Sequence, residues 1–177
     1  MKKIRYGVAM SLDGMIAGPN GEADWIVADP EVDFAEIWSR FDTLLMGRRT
    51  YEAAIARLGA KSLDGRKVVV VSRTMKPADY PNVTLIRELD REQIQALRAE
   101  TGTGESGKDI WLMGGGVLFR SLLDMGLVDM VEVSIMPVAL GNGIPLLPPP
   151  AHQARLKLVS HKIYRSGIVS LGYGVQQ

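Results

Sequence analysis

The chain contains no cysteine in its 177 residues, and this absence removes several classes of site. Disulfide bonds, thiol nucleophiles and cysteine-ligated metals are excluded. Only two histidines are present, His152 and His161, and they do not have the spacing of metal ligands. Because zinc and related metals are held mainly by cysteine, histidine and carboxylate side chains, we expect no metal site.

Charge of one sign and long apolar runs are also missing. The net charge is only +1, whereas a protein that binds nucleic acid or a membrane surface usually carries a basic stripe. We therefore expect neither partner. No apolar run is long enough to span a membrane, and Arg5 and Asp13 interrupt any N-terminal leader. The sequence predicts a cytoplasmic protein with a single domain over residues 1–177.

Patterns typical of strands and helices alternate along the chain. Strand patterns occupy residues 4–10, 43–46, 67–71, 83–86 and 110–113, and helical patterns occupy residues 30–41, 50–58, 91–100 and 117–124. Loops are expected between them, including polar loops at residues 11–25 and 101–108. A strand at residues 128–137 and two period-two segments at 156–164 and 168–175 follow. This order predicts an α/β fold with a mostly parallel central sheet, helices on both faces and an antiparallel C-terminal hairpin.

A run of glycines, residues 114–116, separates a predicted strand from a predicted helix. Glycine permits positive φ and lets a ligand approach the backbone closely. The N-terminus of the following helix presents unpaired N–H groups that suit a phosphate. The alternative is a tight turn that binds nothing. The dinucleotide fingerprint GxGxxG is not met, because Phe119 stands where its third glycine would be.

Arginines and hydroxyl residues follow two other predicted strands. Residues 47–50 read Gly-Arg-Arg-Thr, and residues 72–73 read Ser-Arg. Ligands of open α/β sheets bind outside the carboxyl ends of the strands, and arginine can bind phosphate through two hydrogen bonds. A solvated charge pair is the alternative for the adjacent arginines. Together with the glycine run, these clusters favour a phosphate-rich nucleotide.

Five segments, in order, resemble the motifs of one superfamily. They are SLDGMIAG (11–18), LLMGRRTYE (44–52), GRKVVVVSRT (65–74), LMGGGVLF (112–119) and VEVSIMPVALGNGIPLL (131–147). The set is similar to the dihydrofolate reductase-like superfamily, and most of all to the reductase domain of bacterial riboflavin biosynthesis. The resemblance implies NADPH as hydride donor and a homodimer.

The resemblance also implies which residues bind the cofactor. They are Ile16 and Ala17 beside the nicotinamide, Gly47, Arg48, Arg49 and Thr50 at a phosphate, Ser72 and Arg73 at the adenosine 2′-phosphate, and Gly114, Gly115, Gly116, Val117 and Leu118 at the pyrophosphate turn.

On the substrate side, folate reductases carry an acidic residue early in the first helix. Asp33 is our candidate for this catalytic acid, and the alternative is that it only contributes negative charge at a helix N-terminus. Ser134 matches a position where these enzymes contact substrate through a hydroxyl; its alternative is a buried strand serine. Trp25 is expected to line the pocket, whereas Trp38 and Trp111 fit core positions.

The sequence thus predicts an NADPH-dependent reductase of a small pterin- or pyrimidine-like heterocycle. Two alternatives stay open: the phosphoribosylaminouracil reductase of the riboflavin pathway, and an NADP-binding module without turnover. Met15 stands where riboflavin-type enzymes often carry lysine or arginine, and no ribose-phosphate site can be placed.

Overall fold

A computed structural model describes residues 1–100 and 108–176. Except for Lys108, the polar loop predicted at residues 101–108 lies outside these ranges. The strands are β1 (Ile4–Ser11), β2 (Met15–Ala17), β3 (Phe41–Gly47), β4 (Lys67–Val71), β5 (Val83–Ile86), β6 (Asp109–Gly114), β7 (Met130–Met136), β8 (Ile144–Pro145), β9 (Arg155–Ile163) and β10 (Val169–Gln176). The α-helices are α1 (Phe34–Ser39), α2 (Arg48–Leu58), α3 (Arg91–Ala99) and α4 (Gly116–Asp124), and short 3₁₀ turns lie at Ala60–Leu63 and Pro77–Asp79.

Eight strands form one sheet in the order β5-β4-β3-β6-β1-β7-β10-β9. The six strands from β5 to β7 pair in parallel, and β10 pairs antiparallel with both β7 and β9. Strand β4 is the KVVVV segment and is buried at its centre, as expected for a strand covered on both faces. The predicted α/β fold with its antiparallel C-terminal hairpin is confirmed.

Helices cover both faces of this sheet. On one face, α3 and α4 pack against a core that includes Tyr6, whose ring stacks on Phe119 of α4. On the other face, α1 and α2 pack against a second core built on β3 and β4. The interior is therefore divided by the sheet into two apolar layers, as is usual for a sheet with helices on both sides.

The helix predicted over residues 30–41 was wrong at both ends, because α1 is only Phe34–Ser39. The Asp33 carboxylate accepts a hydrogen bond from the Glu36 N–H at 2.9 Å and starts the helix there. At the other end, the Asp109 N–H donates to the Arg40 carbonyl at 2.9 Å as the chain enters the sheet. Phe41, expected on the apolar stripe of the helix, instead begins β3 and is 2% exposed.

Asp13 fixes the loop that follows β1. Its carboxylate accepts hydrogen bonds from the Ser11 hydroxyl at 2.6 Å and from the N–H groups of Leu140 and Gly141 at 3.0 and 2.7 Å. These bonds, that of Ser11 first, lower the pKa of Asp13 to about 2. The hydrogen bonds to Asp13 join the loop carrying β2 to the segment before β8. Strands β2 and β8 also pair with each other.

We expect the stabilisation from Asp13 to be lost in acid. Its folded pKa of about 2 lies below the ordinary 3.8, so its contribution is complete above about pH 4 and disappears as the pH falls towards about 2. The measurement is urea unfolding of the parent and of Asp13→Asn across this range. The difference in unfolding free energy between the parent and Asp13→Asn should be constant near neutral pH and shrink in acid. A difference that stays unchanged down to about pH 2 would contradict a stabilising role for the hydrogen bonds to Asp13.

Candidate functional site

A cleft of about 1710 Å³ runs along the sheet. Both Arg40, just before β3, and Gly47, at the end of β3, line it. The cleft therefore follows the length of a seven-residue strand, which is roughly 23 Å. Pockets for one small ligand are usually about 300–1,000 Å³. The cleft is therefore large enough for two ligands side by side.

We name the two ends of this cleft after their residues. The glycine end is formed by the carboxyl ends of β3, β4, β5 and β6 and the first turns of α2 and α4. The serine end is formed by β1, β7, β9 and β10 together with the segment before and within α1. Ile16 and Ala17, on β2, also line the cleft.

The glycines at the glycine end have different roles. Gly114 has φ of +139°, a conformation that favours glycine. A Cβ on Gly116 would lie 2.7 Å from the Pro145 carbonyl oxygen, so glycine is needed for α4 to approach β8. A Cβ on Gly47 would meet no atom within 4 Å, so the space beside it is open. Because β3 and β6 are neighbours, these turns lie together, and α2 and α4 begin beside them.

Cations surround the glycine turns. Arg48 and Arg49 open α2, and Arg73 follows β4 after Ser72. All three arginines are exposed and line the cleft. The Ser72 hydroxyl accepts from the N–H groups of Thr74 and Met75 at 3.3 and 3.2 Å, which shapes the turn carrying Arg73. The structure therefore brings together the arginine clusters and the glycine run, as the sequence predicted.

Arg87 is a lining residue that sequence reasoning missed. It follows β5 directly, as Arg73 follows the end of the adjacent β4, and both side chains line the cleft. Neither arginine makes an ion pair with a residue in 1–100 or 108–176. The signal was a cation immediately after the predicted strand 83–86. Two unpaired guanidinium groups at adjacent strand ends suit a phosphate.

Small side chains form the floor of the serine end. Ala9 of β1, Ser134 of β7 and Ser170 of β10 are aligned across three neighbouring strands. The Oγ atoms of Ser134 and Ser170 lie 2.9 Å apart. Gly7 and Gly172 also line this end, and the space beside them is filled by the side chains of Trp111 and Ser160. Ser134 thus lines the cleft as expected, and Ser170 is a partner that only the strand register reveals.

The carboxylates of Asp29 and Asp33, near the start of α1, are both engaged in hydrogen bonds. Asp33 is exposed, caps α1 and does not line the cleft. Asp29 lines the cleft and is 6% exposed, but it accepts from the N–H groups of Glu31 and Ser166 at 2.7 and 3.2 Å. Hydrogen bonding from Ser166, and then from Glu31, holds the pKa of Asp29 below its ordinary value. Asp29 is therefore ionised at neutral pH.

The tryptophans divide between loop and core. The Trp25 indole N–H donates to the Glu22 carbonyl within its own loop, and Trp25 is not a lining residue of the cleft. Trp38 and Trp111 pack edge to face with ring centroids 5.0 Å apart. The Trp111 N–H donates to the Gly7 carbonyl at 2.9 Å, and Trp111 also lines the serine end.

Two further observations concern the described ranges. No group of three or more histidine, cysteine, aspartate or glutamate residues within 1–100 and 108–176 could hold a metal ion. In those same ranges, no helix has the length and apolar character needed to cross a membrane.

The chain matches one protein family and is similar to several known proteins. The family model of the RibD C-terminal domain matches residues 2–170. Uncharacterized protein YyaP of Bacillus subtilis is 32% identical over 97% of this chain and 94% of its own length. A crystal structure from Shewanella sp. PV-4, whose name refers to riboflavin biosynthesis, is 24% identical with a TM-score of 0.82 and covers 99% of both chains.

Dihydrofolate reductase from Enterococcus faecalis, solved with NADP(H), shares the fold at 18% identity, with a TM-score of 0.68 and coverage of 99% of this chain and 97% of its own. The family and the fold together support a reductase-like role. The chain therefore belongs to the RibD C-terminal domain family and has a dihydrofolate reductase-like fold.

Proposed function

We propose that the protein is an NADPH-dependent reductase that transfers hydride to a small pterin- or pyrimidine-like heterocycle. The proposal rests on the glycine end of the cleft. Two glycine turns, the N-termini of α2 and α4 and four arginines line the cleft there. Such groups bind phosphates. The cleft continues past β2 to the serine end, so a second ligand would lie next to the first.

The residues present fit NADPH. Unpaired N–H groups at the start of α4 and the open space beside Gly47 suit its pyrophosphate, and Arg73 with Arg87 suits its 2′-phosphate. The proposed cofactor-binding set is Ile16, Ala17, Gly47, Arg48, Arg49, Thr50, Ser72, Arg73, Arg87, Gly114, Gly115, Gly116, Val117 and Leu118. The relative from Enterococcus faecalis that holds NADP(H) has the same fold, which supports this choice.

The chain would act by binding and alignment. The nicotinamide supplies the hydride when the cofactor is bound, and the protein brings the acceptor against it. Ile16 and Ala17 lie on β2, which Asp13 holds in place. Ser134 and Ser170 would hydrogen-bond the acceptor at the serine end. Turnover is tested by following NADPH oxidation in the presence of a dihydropterin and of an aminouracil. If the protein binds NADPH but oxidises none with either compound, the alternative of an NADP-binding module without turnover is supported instead.

The helix-capping bond of Asp33 supports the alternative in which this residue is not the catalytic acid, and one substitution decides between the two roles. The Asp33 carboxylate bonds to the Glu36 N–H, so we expect Asp33→Asn to oxidise NADPH at the parent rate near neutral pH. Asparagine caps helices as well as aspartate does, so α1 should be preserved. Single-turnover kinetics would measure the rate. A fall of tenfold or more would instead establish Asp33 as the proton donor.

Family membership favours one alternative substrate. The matching family is named for RibD, a riboflavin-biosynthesis protein, so the phosphoribosylaminouracil of that pathway should be among the first compounds offered. Oxidation of NADPH by that compound, and not by a dihydropterin, would select this alternative.

We also propose a cytoplasmic homodimer formed through β9. This strand is exposed along its whole length and carries Leu156, Leu158, Val159 and Ile163 at the open edge of the sheet. Unprotected apolar edges tend to pair with another chain. Leu158→Lys should shift the protein from dimer to monomer in light scattering. A parent protein that is monomeric at high concentration would contradict the proposal.

A further inference from the structure

A row of four side chains, three of them polar, crosses the floor of the serine end. The strand register aligns Ala9 of β1, Ser134 of β7, Ser170 of β10 and Lys162 of β9, and all four line the cleft. Opposite side chains on neighbouring antiparallel strands have Cβ atoms about 4.5–5.5 Å apart. Three groups that carry exchangeable protons therefore lie in sequence from the exposed edge strand β9 towards the parallel centre of the sheet.

The two hydroxyls in this row are hydrogen-bonded to each other. Ser134 Oγ lies 2.9 Å from Ser170 Oγ, and either oxygen could be the donor. A hydroxyl has one proton to donate and lone pairs with which it can accept another. A bonded pair of hydroxyls can therefore pass a proton on, because each oxygen takes a proton from one side as it gives its own to the other.

Lys162 favours one direction for such a transfer. It is the cross-strand neighbour of Ser170, and its ammonium group can only donate. One of its N–H groups is directed at the Glu31 carbonyl oxygen, 3.4 Å from Nζ, which leaves the others available. A donor on the outer side suits a Ser170 oxygen that accepts from outside and donates inwards. The Ser134 proton is then directed to a ligand that lies over Ala9.

The cleft-lining carboxylates nearby are held as hydrogen-bond acceptors. Asp29 accepts from the N–H groups of Glu31 and Ser166 at 2.7 and 3.2 Å. Glu132 accepts from Arg5, at 2.6 Å from Nη2 and 3.0 Å from Nε. Hydrogen bonds donated to a carboxylate favour its ionised form, which has no proton to give. The hydroxyl pair is therefore better suited to deliver a proton.

We infer that Ser170 is a positioning residue that acts through Ser134, as the outer member of a proton relay. This inference rests on the proposed reductase function and supplies its proton route. When a C=N bond is reduced, the hydride forms a C–H bond and the π electrons move to the nitrogen. The nitrogen takes the proton of Ser134 Oγ, and Ser134 takes the proton of Ser170 Oγ. Ser170 is restored by a proton from solvent at the open edge of the sheet.

The test follows a single turnover of the NADPH-loaded protein with whichever of the dihydropterin and the aminouracil the parent reduces. We expect Ser170→Ala to lower the rate at least about tenfold, since a positioned proton donor contributes about 10²- to 10⁴-fold. Ser170→Thr keeps a hydroxyl and should keep most of the rate. In mixtures of H₂O and D₂O, the rate of the parent should fall along a curve, as expected when two protons move together. The rate of Ser170→Ala should fall along a straight line, and Ser170→Thr should restore the curve.

The matched control is Ser39→Ala, which removes an exposed hydroxyl that bonds within α1 and does not line the cleft. It should keep the rate and the curve of the parent. A second readout is the calorimetric affinity of the same compound for the NADP⁺-bound protein, which cannot donate hydride. Ser170→Ala should lower this affinity by a smaller factor than it lowers the rate.

Three results would overturn the relay. They are a Ser170→Ala protein with the rate of the parent, a straight line for the parent in the H₂O and D₂O mixtures, and equal losses of rate and affinity, which would make Ser170 a residue that only binds the substrate. A parent that oxidises NADPH with neither compound removes the proposed function and the relay with it. Turnover that does not depend on Ser170 removes the relay alone.

Discussion

Arg73→Ala is expected to weaken NADPH binding by roughly 10- to 100-fold and to change NADH binding by less than about twofold. NADH lacks the 2′-phosphate, so it cannot use the guanidinium. Arg73 follows β4, and its side chain is exposed in the cleft on a turn fixed by the Ser72 hydroxyl. Equilibrium fluorescence titration of the parent and the variant with both nucleotides measures the effect.

Arg87 supplies a second variant for the same assignment. It lies at the end of β5, beside the end of β4, so Arg87→Ala should show the same selectivity for NADPH. Arg165→Ala, in the exposed β9–β10 turn, is the matched control and should bind both nucleotides as the parent does. Equal losses for NADPH and NADH in Arg73→Ala would contradict the 2′-phosphate assignment.

Alanine substitutions at Gly47 and Gly116 are expected to separate ligand binding from folding. Gly47 has φ of −80° and an open space beside it, so Gly47→Ala should fold normally. Its added methyl group would occupy space that we assign to the cofactor, so NADPH affinity should fall at least tenfold. Gly116→Ala would place a Cβ 2.7 Å from the Pro145 carbonyl oxygen and 2.9 Å from Pro148 Cδ. Overpacking of this kind costs about 1–3 kcal/mol.

Urea unfolding and NADPH titration of both glycine variants provide the measurement. Gly47→Ala should match the parent in unfolding free energy, whereas Gly116→Ala should be clearly less stable. A Gly47→Ala protein that binds NADPH like the parent would contradict the placement of the cofactor. A Gly116→Ala protein as stable as the parent would contradict the close packing of α4 against β8.

The glycine end of the cleft could be predicted because its signals are local. Gly47, Ser72 and Gly114 each stand at the end of a short apolar run, and parallel strands bring such ends to one edge of a sheet. The β-branched run of β4 marked the buried centre of the sheet in the same way. Residues close together in sequence therefore indicated both the strands of the sheet and the residues that meet at the glycine end.

The serine end of the cleft could not be predicted in full because it depends on contacts between residues distant in sequence. Ser134 meets Ser170 only through the β7–β10 register, and Asp29 is held by Ser166 from the C-terminal hairpin. The helical pattern of residues 30–41 also gave no sign that Arg40 would leave the helix to bond with β6. Each of these outcomes was decided by tertiary pairing, which overrides local propensity.

The most direct test is a titration of the purified protein with NADPH and NADH, followed by tryptophan fluorescence. Trp111 lines the cleft, so a bound nucleotide should change its emission. The proposed function predicts micromolar binding of NADPH and much weaker binding of NADH. Binding of neither nucleotide would contradict it, and the arginines and glycine turns would then serve another ligand.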